Sequence, residues 1–384
     1  MRGMKVAFVG FSGIGEYCVR LASGIAQDQD TSILLFLPSH EANPYLHLLS
    51  HSVELQLFDQ PRLRQPFKQV RMVTRLVRQI RSFNPDVIHL QCGHLWFNLA
   101  LAMLGDRPLV LTVHDSSIHA GEPRNTPQWV YDRACYRARE RIVHAPQVKE
   151  SLLQRLGIPS GTVHVIPHVL IGDTAVTAGE KERGEEPLVL FFGRIWEYKG
   201  LEYLIRAEPL ITSRVPRAKI VIAGMGEDFD RYRRMMVHPE RFIVHNEHVS
   251  DEKRAELFRQ ASVVVLPYIE GSQSGVIPIA YRFGKPVVAT TVGGLPDMVD
   301  HGRTGYLVPP RDASALAEAI IPLLQDKELR RQLGENGRRK VNAECAPELV
   351  GHKTRIVYRQ AMNGPIGHDA RRLRLGGGDA PHRA

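Results

Sequence analysis

The sequence predicts an α/β chain made of two Rossmann-like domains that face each other across a cleft. Three observations carry that expectation. The chain has 384 residues, and single hydrophobic cores stop growing at about 250–300 residues, so two cores are expected. Short β-branched runs alternate with helical patterns along the whole length, and strands that read as nearly continuous apolar runs belong to parallel sheets covered on both faces. Between Gly172 and Pro187 the composition turns polar, charged and glycine-rich, which marks a link that few contacts cross.

The first domain is expected over residues 1–170, with strands at 6–9, 32–36, 87–90, 109–113, 141–144 and 163–166. Each is bounded by Asp, Pro or Gly, or followed by a helical pattern. A linker follows over 171–187. Alternation restarts over 188–346, with strands at 188–192, 219–223, 241–244, 262–266 and 286–289 and closing helices at 312–325 and 327–341. A last helix is read at 347–362. Residues 363–384 hold three consecutive glycines and little apolar content, so this tail is expected to be disordered.

Composition excludes several classes. With 43% hydrophobic and 24% charged residues, the chain is neither disordered nor collagen-like. Its most apolar stretch, residues 95–113, is interrupted by Asp106, Arg107 and Pro108, and the N-terminus shows no leader pattern, so a cytoplasmic protein is expected. Four cysteines, Cys18, Cys92, Cys135 and Cys345, form no Cys-x-x-Cys pair and read as packed thiols rather than a disulfide frame or a zinc site.

The net charge of +9 is unevenly placed. Arg62, Arg64, Lys68, Arg71, Arg75, Arg78 and Arg81 fall between Asp59 and Asp86 with no acid among them. Phe67, Val70, Val73, Val77 and Ile80 recur at helical spacing beside Lys68, Arg71, Arg75 and Arg78, which describes a basic amphipathic helix. Such a helix is either an ordinary domain helix with a charged outer face or one that lies on anionic lipid. Nucleic acid is not expected, because no aromatic-interleaved basic patch accompanies the charge.

Four blocks could carry chemistry. After the first strand, Gly10-Phe-Ser-Gly13-Ile14-Gly15 forms a glycine-rich turn that opens a helix, and exposed amides at a helix start hold anionic groups. The turn departs from the dinucleotide pattern, since Cys18 stands where the third glycine belongs. In the second domain a strand runs into Gly193-Arg194 and then Lys199-Gly200. An Arg fork and a Lys point charge five positions apart can converge on one pyrophosphate. The third block runs from Pro267 and Tyr268 through Glu270 to Ser274, Gly275 and Val276, a polar turn into a helix start. The fourth is the strand end at His114, where an imidazole could serve a substrate hydroxyl.

Together these residues resemble glycosyltransferase family 4, retaining GT-B enzymes that use nucleotide sugars, over about residues 4–360. The stretches GRIWEYKGLEYLI, VIAGMGE, VSDEKRAELFRQASVVVLPY, GKPVVATTVGGLPDMV and GRTGYLVPPRDASALAEAI are similar to that family nearly throughout, and GIGEY, TVHD and VIPH resemble landmarks of its acceptor domain. The resemblance implies that residues 1–170 bind acceptor, that residues 188–346 bind the donor, and that the last helix crosses back to the first domain. It also implies that Arg194 and Lys199 grip the donor diphosphate. The amides of Gly13, Ile14, Gly15, Ser274, Gly275 and Val276 would contact phosphate and sugar beside Gly193, and His114 and Glu270 would approach the transferred sugar. No metal or other cofactor is implied. Asp28-Gln-Asp30 and Asp228-Phe-Asp230 read as solvated carboxylates.

One departure stands out. The family usually places two glutamates eight positions apart in the third block. Eight positions after Glu270 stands Pro278, and a frame set on Gly284-Lys285-Pro286 puts Gly271 and Ile279 at the pair. Val249, Tyr268 and Asp297 are then the expected vicinity of base and ribose. The activity implied is transfer of a hexose-type sugar from a nucleoside-diphosphate sugar to a hydroxyl of a glycan or lipid-linked acceptor, in cell-surface polysaccharide or glycolipid synthesis. Peripheral association with the inner face of the cell membrane through Lys68, Arg71, Arg75 and Arg78 accompanies it. The missing acid leaves open a nucleotide-sugar-binding or partner protein with weak catalysis, and the glycine-rich turn alone leaves open a nicotinamide oxidoreductase.

Overall fold

A computed structural model of the chain describes residues 3–11, 13–91, 93–114, 126–172, 186–271 and 273–364. Two parallel sheets organise them. In the first, β1 (Met4–Val9), β2 (Thr31–Pro38), β3 (Val53–Phe58), β4 (Val87–Gln91), β5 (Leu109–Val113), β6 (Glu140–Val143) and β7 (Val163–Val165) stand in the order β3-β2-β1-β4-β5-β6-β7. In the second, β8 (Leu188–Phe192), β9 (Lys219–Ala223), β10 (Phe242–His245), β11 (Val263–Leu266), β12 (Val287–Thr290) and β13 (Gly305–Val308) stand in the order β10-β9-β8-β11-β12-β13. Each order reverses beside its first strand, and at such a switch point the loops part to leave a crevice at the carboxyl edge.

Burial explains the sequence pattern. Ala7 and Val9 enter the core on one face of the first sheet, while Val6 and Phe8 enter the core on the other. Val189 and Phe191 are likewise divided from Leu190 in the second sheet. Both faces are dry, so the strands lose the polar alternation of a half-exposed sheet. Among the helices, Ser250, Asp312 and Asp326 cap their N-termini by accepting from the amides of Lys253, Ala315 and Leu329.

Two strands escaped the sequence reading. β3 carries Val53, Glu54, Leu55, Gln56, Leu57 and Phe58 and β13 only four residues; each ends its sheet. Edge strands are covered less completely and keep residues such as Glu54, Gln56 and Gly305, which blurs the apolar run that marks the interior ones. The bulk of the expected linker, 173–185, and most of the expected tail, 365–384, lie outside the described residues, as do Cys92 and Asp115. Cys18, Cys135 and Cys345 are buried and form no disulfide among the described residues.

The last helix, Pro347–Asn363, returns to the first sheet and packs against the helix Gly15–Ile25. The two cross closely enough that a Cβ at Gly24 would lie 1.9 Å from the Pro347 carbonyl oxygen, and one at Gly351 would lie 2.3 Å from the Gly24 carbonyl carbon. Only glycine fits there. Arg355 bonds the Ile25 carbonyl at 3.0 Å and pairs with Asp28 at 3.2 Å. Asp28 is therefore not the solvated carboxylate its polar setting suggested. It anchors the returning helix.

The basic helix spans Pro66–Phe83. Its expected apolar stripe divides: Val73, Val77 and Ile80 join Met72 and Leu76 in the core, whereas Phe67 is 91% exposed and Val70 53%. The core half makes it an ordinary domain helix, and its first turn is apolar surface beside exposed cations. Among the described residues, no helix is long and apolar enough to cross a membrane.

Candidate active site

Two loops at the carboxyl edge of the second sheet, those after β8 and β11, converge. The turn after β8 is held by glycines. Gly193 has φ +120°, and Gly200 has φ +65° with no room for a side chain, since a Cβ would stand 1.9 Å from the Pro267 carbonyl oxygen. That approach brings the turn Glu197–Lys199 onto the loop after β11, where Ile269 N–H donates to the Tyr198 carbonyl at 2.9 Å.

The cations follow from this framework. Lys199 Nζ sits 3.9 Å from the centre of the buried Tyr268 ring and 4.8 Å from that of Tyr198. Aromatic faces attract a cation without neutralising it, so the ammonium keeps its charge for a ligand. Arg194, on the exposed side, donates to the Tyr198 hydroxyl at 3.4 Å. The Tyr268 hydroxyl lies 3.1 Å from Ser274 Oγ, which accepts from Val276 N–H at 3.2 Å beside Gly275. Ser274 is buried and thereby fixes the start of the helix Val276–Arg282.

The third block also reaches the first domain. Gln273 Nε2 donates to the His114 carbonyl at 3.4 Å. His114 projects from the end of β5 into a ring cluster with Tyr17 at 5.0 Å and His144 at 4.9 Å between centroids, and His168 lies 4.6 Å from Tyr17. His144 Nδ1 donates to the Ile166 carbonyl, 2.8 Å away, while burial holds His168 neutral with a pKa lowered to about 3. His144 and His168 were missed as site residues. Their signal was available, because both follow strands of the same sheet edge as His114.

The glycine-rich turn is differently placed from its expectation as an open anion cradle. Gly13 N–H and Gly15 N–H donate to the two carboxylate oxygens of Glu41, at 2.7 and 3.2 Å. Ile14 precedes the helix, and an internal carboxylate occupies the amides on either side of it. One residue on, the buried Glu16 accepts from Arg20 at 2.9 Å, from the amide of Gly172 at 2.7 Å and from Arg254 of the second domain at 3.4 Å. Glu16 thus ties the two sheets beside the crevice. Neither Glu16 nor Glu41 announces itself in the sequence, because their partners are distant along the chain.

The remaining residues are more peripheral. Glu270 and Asp297 are exposed, and Val249 packs against the core patch that contains Tyr268. Pro278 and Ile279, the positions where a second glutamate was sought, are buried in the helix Val276–Arg282. Among the described residues no group of three or more His, Cys, Asp or Glu side chains could hold a metal ion.

Two doubly wound sheets with cationic, aromatic and histidine side chains at facing carboxyl edges define a GT-B architecture, and comparison with known proteins agrees. Residues 11–170 match the family described as Glycosyltransferase Family 4 and residues 186–326 match Glycosyl transferases group 1, and the chain belongs to this glycosyltransferase family. It is 32% identical over 180 residues to an uncharacterized glycosyltransferase of Methanocaldococcus jannaschii, covering 46% of this chain and 46% of that protein, so the match spans under half of that relative. It is 26% identical over 273 residues to the alpha-D-kanosaminyltransferase of Streptomyces kanamyceticus, covering 66% and 70% respectively. Among solved structures, sucrose-phosphate synthase from Thermosynechococcus elongatus superposes with TM-score 0.72 at 22% identity over 93% of this chain and 98% of that one. Anabaena HepE in complex with UDP and glucose gives 0.69 at 17%, over 93% and 100%. These likenesses carry the fold. The family removes the nicotinamide reading of the glycine-rich turn.

Proposed function

We propose that the protein is a retaining, metal-independent glycosyltransferase that moves a hexose-type sugar from a nucleoside-diphosphate sugar to a hydroxyl of a glycan or lipid-linked acceptor. The observation that carries this reading is the convergence of Lys199, Arg194, Tyr268 and Ser274 on one edge, joined through Gln273 to the backbone of His114 on the other. In such a transfer the anomeric carbon–oxygen bond breaks and its electron pair passes to the diphosphate. The sugar gains oxocarbenium character until the acceptor oxygen bonds to the same face and passes its proton to an oxygen of the departing diphosphate. Fixed cations and amides stabilise that charge separation. Arg194 and Lys199 take the diphosphate, with the amides of Gly275 and Val276 and the backbone at Gly193 beside it. His114 and Glu270 meet the sugar. Base and ribose lie toward Val249, Tyr268 and Asp297.

Relatives named as transferases support the class, and HepE, solved in complex with UDP and glucose, supports a nucleotide-sugar donor. The acceptor is reached from the first domain. There the exposed Phe67 and Val70 beside Lys68, Arg71, Arg75 and Arg78 suit docking on an anionic membrane surface, and those four cations make no hydrogen bond or ion pair among the described residues. A lipid-linked acceptor in cell-surface polysaccharide or glycolipid synthesis, on the inner face of the membrane, follows from that docking.

The test is a panel of UDP-, GDP-, ADP- and TDP-sugars read by thermal stabilisation, because a ligand that binds the native state raises its stability by mass action. Release of nucleoside diphosphate is measured alongside. Stabilisation by one donor with release that Lys199→Ala abolishes supports the reading. Stabilisation without release on any acceptor favours instead a nucleotide-sugar-binding protein, the reading that the apolar Pro278 and Ile279 motivate. Absence of both overturns the assignment.

A further inference from the structure

A chain of hydrogen bonds runs through the apolar layer between the first sheet and the returning helix, and it ends on His114. Tyr358, on Pro347–Asn363, places its hydroxyl 2.6 Å from His89 Nδ1. His89 Nε2 lies 2.8 Å from Thr112 Oγ1 and 3.0 Å from Gln91 Nε2, which also donates to Thr112 at 3.1 Å. Gln91 Oε1 then lies 3.2 Å from His114 Nε2. His89 and Gln91 are alternate residues of β4, and Gln91 stands opposite Thr112 of β5, so the sheet period sets all of them on one face. Phe8 of β1 covers His89, its ring centre 4.7 Å away.

His89, Gln91, Thr112 and Tyr358 are each fully buried. Burying four polar side chains is costly unless each is bonded, and apolar residues of the same volume would hold this layer together as well. What such residues could not do is transmit a proton position. Gln91 is the hinge of the chain, because its amide has one accepting end and one donating end. With its nitrogen toward His89 and Thr112, its oxygen must accept from His114, so a ring proton sits on Nε2, and in the singly protonated ring Nδ1 carries the lone pair. Turned over, the amide would donate to His114 Nε2 and force the opposite tautomer.

The amide's direction is decided in turn by His89. Burial lowers the His89 pKa to about 3, so the ring is neutral and has one donor and one acceptor. Burial also raises the Tyr358 phenol well above its ordinary pKa, which keeps it a hydroxyl. With the His89 proton on Nδ1 and given to Tyr358 Oη, Nε2 accepts from the Gln91 and Thr112 side.

We infer that Gln91, His89 and Tyr358 are positioning residues that fix the tautomer of His114 from within the core, so that the returning helix sets the hydrogen-bonding sense of the side chain placed at the transferred sugar. The inference rests on the reading of His114 as a sugar-facing residue for its consequence in catalysis, and not for the tautomer itself. Tyr358→Phe removes the acceptor for His89 Nδ1–H. His89 is then free to move its proton to Nε2, the Gln91 amide turns over, and His114 changes tautomer.

The experiment is histidine-selective 15N labelling of the full chain, with the His114 resonances assigned by His114→Ala. The wild type is expected to show His114 protonated on Nε2, and Tyr358→Phe is expected to shift it toward Nδ1. Under saturating donor, kcat of Tyr358→Phe falls by about tenfold or more while donor KM stays within about twofold, since ground-state contacts are untouched. An ionised glutamate at position 91 can only accept from His114, so adding Gln91→Glu to Tyr358→Phe restores the Nε2 proton when that carboxylate is charged. Wild-type His114 protonated on Nδ1, or His114 shifts identical in Tyr358→Phe, overturns the inference. The tautomer readout needs no turnover: moved shifts with no activity on any donor uphold the chain and sink the transferase reading, while normal turnover with unmoved shifts does the reverse.

Discussion

The ammonium of Lys199 stands 3.9 Å from the centre of the Tyr268 ring, on whose hydroxyl Ser274 also depends. One aromatic side chain thereby positions both a cation and the start of the following helix. Removing the cation leaves the aromatic scaffold intact. Lys199→Ala is expected to lose donor-induced thermal stabilisation and to lower nucleoside-diphosphate release by about 100-fold to 1000-fold, the usual scale for losing one preorganised electrostatic contact. Tyr268→Phe, which keeps the ring under Lys199 and loses only the Ser274 bond, is expected to be far milder.

Glu41 occupies the amides of Gly13 and Gly15. A carboxylate there competes with any phosphate entering the crevice. Glu41→Gln keeps the shape and removes the charge, so the affinity for UDP or the matching diphosphate should rise by about twofold to fivefold, as expected for roughly 0.5–1 kcal/mol of electrostatics at a helix start. Isothermal titration of both proteins measures it. Weaker binding by Glu41→Gln would mean that the carboxylate orders the turn more than it repels the ligand.

The crossing of Gly24 and Gly351 leaves no volume for a methyl group. Gly351→Ala is expected to destabilise the protein by about 1–3 kcal/mol, because overpacking forces backbone apart rather than a side chain aside. Gly161→Ala provides the contrast, since a Cβ at Gly161 meets nothing within 4 Å. Urea unfolding midpoints separate the two.

Buried histidines make the fold acid-sensitive. Desolvation lowers the pKa of His89 and His168 to about 3 and that of His94 to about 4, from an ordinary 6.5. Between those values the unfolded chain binds protons that the folded chain refuses, so stability rises with pH across this window and is lost as pH falls below 6.5. From pH 6.5 to 5 each histidine removes roughly 1–2 kcal/mol. Urea unfolding at several pH values tests this, and a stability that is flat from pH 7 to 5 would contradict it.

At the basic helix, the exposed Phe67, with Arg71 and Arg75, which make no hydrogen bond or ion pair among the described residues, is the surface offered to lipid. Arg71→Glu with Arg75→Glu is expected to reduce co-sedimentation with phosphatidylglycerol vesicles by about tenfold or more, given roughly 1 kcal/mol for each cation near an anionic surface. Phe67→Ser should weaken it at constant charge. Equal binding by wild type and variants would remove the membrane from the proposal.

The sequence was most legible where physics is local. Interior strands such as β5 and β8 appear as apolar runs because both faces of a parallel sheet are dry, and the glycines around Arg194 and Lys199 mark backbone that must approach closely. Edge strands were less legible: β3 and β13 carry Glu54, Gln56 and Gly305, which less complete covering permits. The glycine-rich turn was found, yet the carboxylate of Glu41 upon it was not, because an amide turn looks the same in sequence whatever fills it.

By itself the chain's order of residues determined two doubly wound sheets, the cations at the second sheet's edge and the histidine at the end of β5, since periodicity and turn chemistry act over a few neighbours. Only the tertiary structure decided what those residues meet. Asp28 became an anchor for the returning helix, Glu16 a tie between the domains, and Tyr358 the remote end of a chain that reaches His114 from 244 positions away in the sequence. Hydrogen bonds and ion pairs depend on distances of about 3 Å that no local pattern encodes, and only packing of the finished fold brings such partners together.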